Sequence, residues 1–254
     1  MSYISLNLNF LITAVKKVGN SLTRDFNEIE QLQTSLRGHQ EFAKAAYERV
    51  NKSLRVELQK GRPDFAFVNA GDSLPEGACF AISPLDGMLN FMHGIPYFAV
   101  SVAIIENAQV TAGVIYNPAT SDLYFAEKGS GAFKEGYRNH ERLRVSSRKD
   151  LKDALVGAKD TSLAENVAGV RVNGCLSLDM ASIAAGRMDV GVYNDNTIGS
   201  FAAGLLLVKE AGGYVYETDQ KDIRTDNQKA ILQSGNLVAG NSELTPKLFA
   251  LLHK

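Results

Sequence analysis

The residue types best suited to chemistry in this sequence gather in two short stretches. In Ser83-Pro84-Leu85-Asp86-Gly87-Met88-Leu89-Asn90-Phe91 a carboxylate stands directly before a glycine, downstream of an apolar run. An Asp before Gly serves either as a metal-binding carboxylate or as the acceptor of a turn or helix cap. Gly87 to Asn90 read as the first turn of a helix, whose free backbone N–H groups suit a phosphate or sulfate without any metal. His93 follows that helix start and reads as a partner of backbone groups rather than a catalyst. The second stretch is Gly174-Cys175, a thiol with no His or other base at recognisable spacing, hence a buried thiol rather than a nucleophile. Gly129-Ser130-Gly131 has the glycines of a phosphate loop but no strand-to-helix context, and a hairpin turn fits better.

These side chains need a frame, and periodicity supplies one. Phe10, Leu11, Ala14, Val15, Val18 and Leu22 recur at helical spacing, and Phe42, Ala45, Ala46, Val50, Leu54 and Leu58 repeat the pattern before Gly61-Arg62-Pro63 stops it. The period then changes. Phe65–Val68 and Cys79–Ile82 are short apolar runs bounded by turn residues, the pattern of buried strands. Tyr97 to Phe133 reads as an antiparallel meander of three or four strands. Beyond it, strands at Ala154–Ala158, Val190–Tyr193, Tyr214–Tyr216 and Leu237–Gly240 alternate with helices at Leu178–Gly186, Ser200–Ala211 and Thr245–Leu252. Gly212-Gly213 closes the second of those helices. Helix pair, meander and alternating strands and helices predict an α+β layered body, one domain over 1–254 with sub-domains of about 1–148 and 149–254.

Composition excludes several function classes. The 254 residues are 45% apolar and 22% charged, with a formal net charge of -1, which excludes a disordered chain and gives no electrostatic footprint for nucleic acid. Short basic runs, Lys16-Lys17 and Arg142, Arg144, Arg148 and Lys149, read as solvated faces. No apolar stretch approaches the roughly 20 residues of a membrane span. The first ten residues lack the marks of a signal peptide. The two cysteines, Cys79 and Cys175, fit reduced thiols, so a cytoplasmic protein is expected.

The stretch from Ser83 to Ser101 resembles the inositol monophosphatase family, whose signature runs Asp-Pro-Ile/Leu-Asp-Gly-Thr-x-Asn-Phe and then a strand with Phe-Ala-Val-Ser. Gly129-Ser130-Gly131-Ala132-Phe133, Leu143-Arg144-Val145-Ser146, Leu178-Asp179, Ala185-Gly186-Arg187-Met188-Asp189, Glu210-Ala211-Gly212-Gly213 and Gly235–Asn241 continue the resemblance in order over nearly the whole chain. It implies a layered αβαβα sandwich, an Mg²⁺-dependent phosphomonoesterase and a homodimer. It also implies a ligand set: a Glu pair after the first strand, both Asp residues of the signature, its Thr, and the Asp of a late Trp-Asp dipeptide.

Residue by residue, most of that set is replaced here. The Glu pair falls on Ala70 and Gly71, the first Asp on Ser83, the Thr on Met88 and the Trp-Asp pair on Gly199-Ser200. An Asp of the second helix corresponds to Ala46, a Lys upstream of it to Arg37, and an acidic residue that contacts substrate hydroxyls to Asn194. Asp86 is retained, and the backbone carbonyl of Leu85 beside it is the other metal ligand that the resemblance implies. The resemblance further assigns substrate or anion contacts to Asp86, Gly87, Met88, Asn90, Gly174 and Asn194. A slip of one or two residues would bring Asp72 to the place of the lost loop Glu. Mg²⁺ takes hard oxygen donors in near-octahedral geometry, and one carboxylate does not neutralise even one divalent cation. The expectation is an inositol-monophosphatase-like pseudophosphatase that binds Mg²⁺ poorly. Two alternatives are a weak phosphomonoesterase acting on inositol or sugar phosphates, and an interaction protein of the bacterial SuhB type with a protein partner.

Overall fold

The two amphipathic stretches at the start of the chain form α1 (Leu6–Ile29) and α2 (Gly38–Gly61) in the computed structural model, which describes residues 4–29, 38–69, 71–219 and 227–253. Of their apolar stripes, Leu11, Val15 and Leu22 on α1 and Val50, Leu54 and Leu58 on α2 are wholly buried, Phe10 and Phe42 are half-buried, and Ala45 is exposed. They pack on one face of a seven-stranded sheet.

That sheet contains β1 (Ala66–Val68), β2 (Ala78–Asp86), β3 (Ala99–Glu106), β4 (Gln109–Asn117), β5 (Asp122–Glu127), β6 (Gly131–Lys134) and β7 (Glu141–Arg142), in sequence order across the sheet. β1 and β2 run parallel and the rest form the antiparallel meander. The β2–β3 register shifts between Ser83 and Asp86, so the Pro84-Leu85 pair bulges out of the ladder just before the carboxylate. A short helix, α3 (Met88–Met92), follows at once.

The second sheet comprises β8 (Leu155–Gly157), β9 (Gly169–Arg171), β10 (Val190–Tyr193), β11 (Tyr214–Glu217) and β12 (Leu237–Gly240), ordered β11-β12-β10-β8-β9. Between the sheets lie α4 (Leu176–Ala184) and α5 (Ile198–Glu210), both buried along almost their whole length, as helices covered on both faces must be. α6 (Gln228–Ser234) packs against β11, and α7 (Leu244–Leu252) covers the outer face of the second sheet. Three apolar cores fill the gaps between five layers: α1/α2 against the first sheet, the first sheet against α4/α5 and the second sheet, and the second sheet against α7. The architecture is α+β, with layers αβαβα.

The structure starts α4 at Leu176 and α5 at Ile198, each two residues ahead of the periodicity. It adds α6, β7 and β9, which are too short to carry a periodic signal. Among the described residues no helix is long and apolar enough to cross a membrane.

Candidate functional site

β2 delivers Asp86 to the middle of the molecule, where the chain turns sharply at Gly87. Gly87 holds φ of 81°, and a Cβ there would come within 2.8 Å of the Tyr97 carbonyl and 3.0 Å of Cys175 Cβ. Only glycine fits both the conformation and the space. The turn aims the Asp86 carboxylate at the start of α4. Its Oδ2 accepts the Ser177 backbone N–H at 2.7 Å and the Cys175 thiol at 3.4 Å. Cys175 is the N-cap of α4 and makes no side-chain cap bond itself. Asp86 therefore caps α4 from a neighbouring strand, satisfying an otherwise orphan amide at the positive end of the helix. Burial raises the Asp86 carboxyl above the ordinary range, against the bonds from Ser177, Cys175 and Gly87 that lower it. Burial, and then the Asp86 charge, push the Cys175 thiol well up, so it stays protonated.

One helical turn further on, Asp179 is almost completely buried. Its Oδ1 accepts the Tyr97 phenol at 2.8 Å and the Asn173 amide at 2.8 Å, and its Oδ2 accepts the Tyr193 phenol at 3.1 Å. Three donors from three segments thus converge on one carboxylate. Burial raises it to about 6 even though all three hydrogen bonds pull the other way, and Asp86 adds to the rise. Burial and the charge of Asp179 in turn keep both phenols protonated.

The first turn of α5 closes the third side. The Ser200 hydroxyl donates to the Thr197 carbonyl at 2.8 Å, and the Ser200 carbonyl accepts from the Ser177 hydroxyl at 2.9 Å. At Gly199 a Cβ would lie 2.0 Å from the Ile82 carbonyl oxygen and 3.0 Å from the Ser83 nitrogen. The helix start is seated directly on the backbone of β2. Ser83 pairs with Ser101 across the ladder, and the buried Ser101 hydroxyl has no partner among the described residues.

Between these elements opens a cavity of about 240 Å³, lined by Asp86, Cys175, Asp179, Tyr193 and Ser200, with Ala158, Val172 and Leu176 as apolar wall and Lys159 and Asn196 at its side. Among the residues singled out from the sequence, Asp86, Gly174, Cys175 and Ser200 line it. The others stand elsewhere. Met88 and the Leu85 side chain pack into the α1/α2 core on the far side of the first sheet. Asn90 donates both side-chain hydrogens to protein carbonyls, Tyr97 at 2.8 Å and Asn173 at 2.7 Å, and so ties α3 to the loop before α4. α3 itself is only five residues long. Asn194 lies just past the end of β10 and accepts from the Thr218 hydroxyl at 3.3 Å beside a second hollow, while its neighbour Tyr193 faces the cavity. Asp72 accepts from the backbone and side chain of Asn69 in its own exposed loop, at 3.1 and 2.9 Å. Ala46 is buried in α2, and Ala70 and Arg37 lie outside the described residues. The His93 side chain is exposed, its ring centroid 6.3 Å from that of His39. Gly129-Ser130-Gly131 is the turn between β5 and β6, held by Glu210, which accepts the Gly129 and Gly131 amides at 2.7 and 2.8 Å. Among the described residues no three His, Cys, Asp or Glu side chains converge as a metal group would require.

Tyr97, Lys159, Asn173, Tyr193 and Asn196 were not read as site residues from the sequence, and Asp179 was read there only as part of the family pattern. A carboxylate inside Leu176-Ser177-Leu178-Asp179-Met180, where every neighbour is buried, is the signal that would have flagged it.

A model of the inositol monophosphatase family matches residues 6–254. The inositol-1-monophosphatase of Rhizobium meliloti is 38% identical, over 97% of this chain and 96% of its own length. The Nus factor SuhB of Xylella fastidiosa is 30% identical, over 95% of this chain and 92% of its own. Among solved structures, the extragenic suppressor protein suhB of Bartonella henselae superposes with a TM-score of 0.83 at 35% identity, covering 98% of this chain and 99% of that one.

Proposed function

This chain belongs to the inositol monophosphatase family, and we propose that within it the chain is a pseudophosphatase, a phosphatase scaffold with little or no metal-dependent chemistry. The observation that carries this reading is the engagement of Asp86. Its Oδ2 is bound by a backbone amide and a thiol at the start of α4. The other side chains around it are a protonated thiol, a seryl hydroxyl already bonded to Thr197, and the Asp179 carboxylate, already held by two phenols and an amide. A hard divalent cation prefers several anionic oxygens, and this donor set does not fit one. No step of hydrolysis is therefore assigned to Mg²⁺ in this chain.

A second reading keeps a function without chemistry. The Xylella relative is named as a Nus factor, which supports a role for this chain in binding a protein partner; on this reading the chain acts in the cytoplasm, as a homodimer. The remaining reading, weak hydrolysis through Asp86 and Asp72, has less support because Asp72 is engaged within its own loop.

The test is direct. Purified protein is assayed with inositol 1-phosphate and a generic phosphomonoester, with and without Mg²⁺ or Mn²⁺. No metal-dependent turnover above background is expected. Robust turnover that Asp86→Asn abolishes would overturn the reading.

A further inference from the structure

Two of the four histidines of the chain are brought together from separate elements. His39 stands in the first turn of α2, and His93 is the C-cap residue of α3. Their ring centroids lie 6.3 Å apart, with the planes tilted by 52°. The other two histidines pack singly on aromatic rings, His140 edge-on to Phe125 at 5.0 Å and His253 stacked on Phe249 at 4.3 Å. The His93 amide donates to the carbonyls of Leu89 and Asn90, both at 3.1 Å, so its backbone is fixed while its side chain is exposed.

Imidazole nitrogens suit Zn²⁺ and Ni²⁺, whereas Mg²⁺ takes hard oxygen donors. With metal–N bonds of about 2.1 Å, an ion lies roughly 3.2 Å from the centroid of a ring that binds it. Two rings on one ion therefore have centroids about 4.5–6.4 Å apart, as the N–metal–N angle opens from about 90° to 180°. The observed 6.3 Å is at the wide end of that range. A tetrahedral angle asks for about 5.2 Å, a closure of about 1 Å that rotation of the exposed His93 side chain supplies. The geometry points to a site for one borderline transition ion, Zn²⁺ or Ni²⁺, held by His39 and His93.

Each ring ligates through one nitrogen, and the other is left for a protein or water partner. Among the described residues no third His, Cys, Asp or Glu joins the pair. Water therefore fills the remaining positions, and the ion exchanges more readily than a four-ligand structural zinc. Neither histidine lines the cavity of Asp86, so the site stands whether or not that cavity holds Mg²⁺. An ion here ties the start of α2 to the end of α3. α3 has only five residues, too few to hold itself, and its Asn90 reaches the carbonyls of Tyr97 and Asn173. Binding to the folded chain alone raises its thermal stability.

The experiment uses the full chain without a histidine tag, stripped with EDTA and desalted, at pH 7.5 with millimolar Mg²⁺ present throughout. Zn²⁺ and Ni²⁺ are titrated by calorimetry, and Tm is read with and without each ion. At least one of them is expected to bind saturably, one ion per chain, and to raise Tm. His39→Ala and His93→Ala are each expected to weaken binding at least tenfold and to abolish the rise in Tm, while His253→Ala leaves both unchanged. If an Ala variant is not folded by circular dichroism, His→Gln at the same position is read in its place. No saturable binding of either ion overturns the proposal. So does a loss of less than tenfold in either variant of the pair, or an equal loss in His253→Ala.

Discussion

Asp86 and Asp179 face one cavity from two different layers of the fold, and they are held in different ways. Asp86 ends a strand of the first sheet and is bound mainly by backbone and thiol at the start of α4. Asp179 belongs to α4 itself and is bound by side chains alone, two phenols and an amide brought from residues 97, 193 and 173. The first arrangement is a helix cap, which an uncharged acceptor could also provide. The second is a buried network, in which removing the acceptor strands three donors at once. The carboxylate of the Asp86-Gly87 signature is thus the more replaceable for stability, and the carboxylate inside α4 is the less.

The comparison can be broken most severely at Asp179. Asp179→Ala is expected to cost about 3–5 kcal/mol in urea unfolding, because Tyr97, Asn173 and Tyr193 lose their acceptor in a buried site. A loss below that of Asp86→Ala would invert the ranking. Next comes pH. Burial lifts Asp179 from 3.8 to about 6 in the folded state, so the folded protein binds that proton more tightly than the unfolded chain. Its stabilisation is full below about pH 4 and is lost as the pH rises through 6, with an upper limit of about 3 kcal/mol. Asp86 is raised as well and acts in the same direction. Stability measured at pH 5 and pH 7.5 should therefore fall with rising pH, and Asp179→Asn should flatten the difference.

Asp86→Ala should cost about 1–2 kcal/mol, the loss of a helix cap, whereas Asp86→Asn should lie within about 0.5 kcal/mol of the parent. A large loss in the Asn variant would mean that the charge, and not the cap, holds α4. The smallest effect is expected at Asp72, exposed and bonded only within its loop. Asp72→Asn should change stability by less than about 0.5 kcal/mol, and any phosphatase activity lost with it would favour the weak-enzyme reading.

Much of the frame was legible in the residues. α1 and α2 carry long uninterrupted stripes, and the meander is punctuated at Glu106-Asn107-Ala108 and Gly129-Ser130-Gly131. α6, with seven residues, and β9, with three, are set by tertiary packing and left no periodic trace. The site was half legible. The Asp86-Gly87 dipeptide announced a turn with a carboxylate, and the positive φ of Gly87 is what that pairing required. The partner of Asp86 was not legible, because Ser177 lies 91 residues away and binds it through a backbone amide that any residue would supply. Tyr193 was missed for a local reason. It is the last residue of β10 and Asn194 the first beyond it, and the one faces the cavity while the other lines the hollow beside Thr218.

Gly199 makes the seat of α5 on β2 depend on the absence of a side chain. The start of α5 rests on the Ile82 carbonyl with no room for even a methyl group. A large side chain at 199, such as the Trp that the family resemblance places there, does not fit against that backbone. Any side chain at 199 would first require α5 to move away from β2, so a residue that does not itself line the cavity sets where the Ser200 side of it stands.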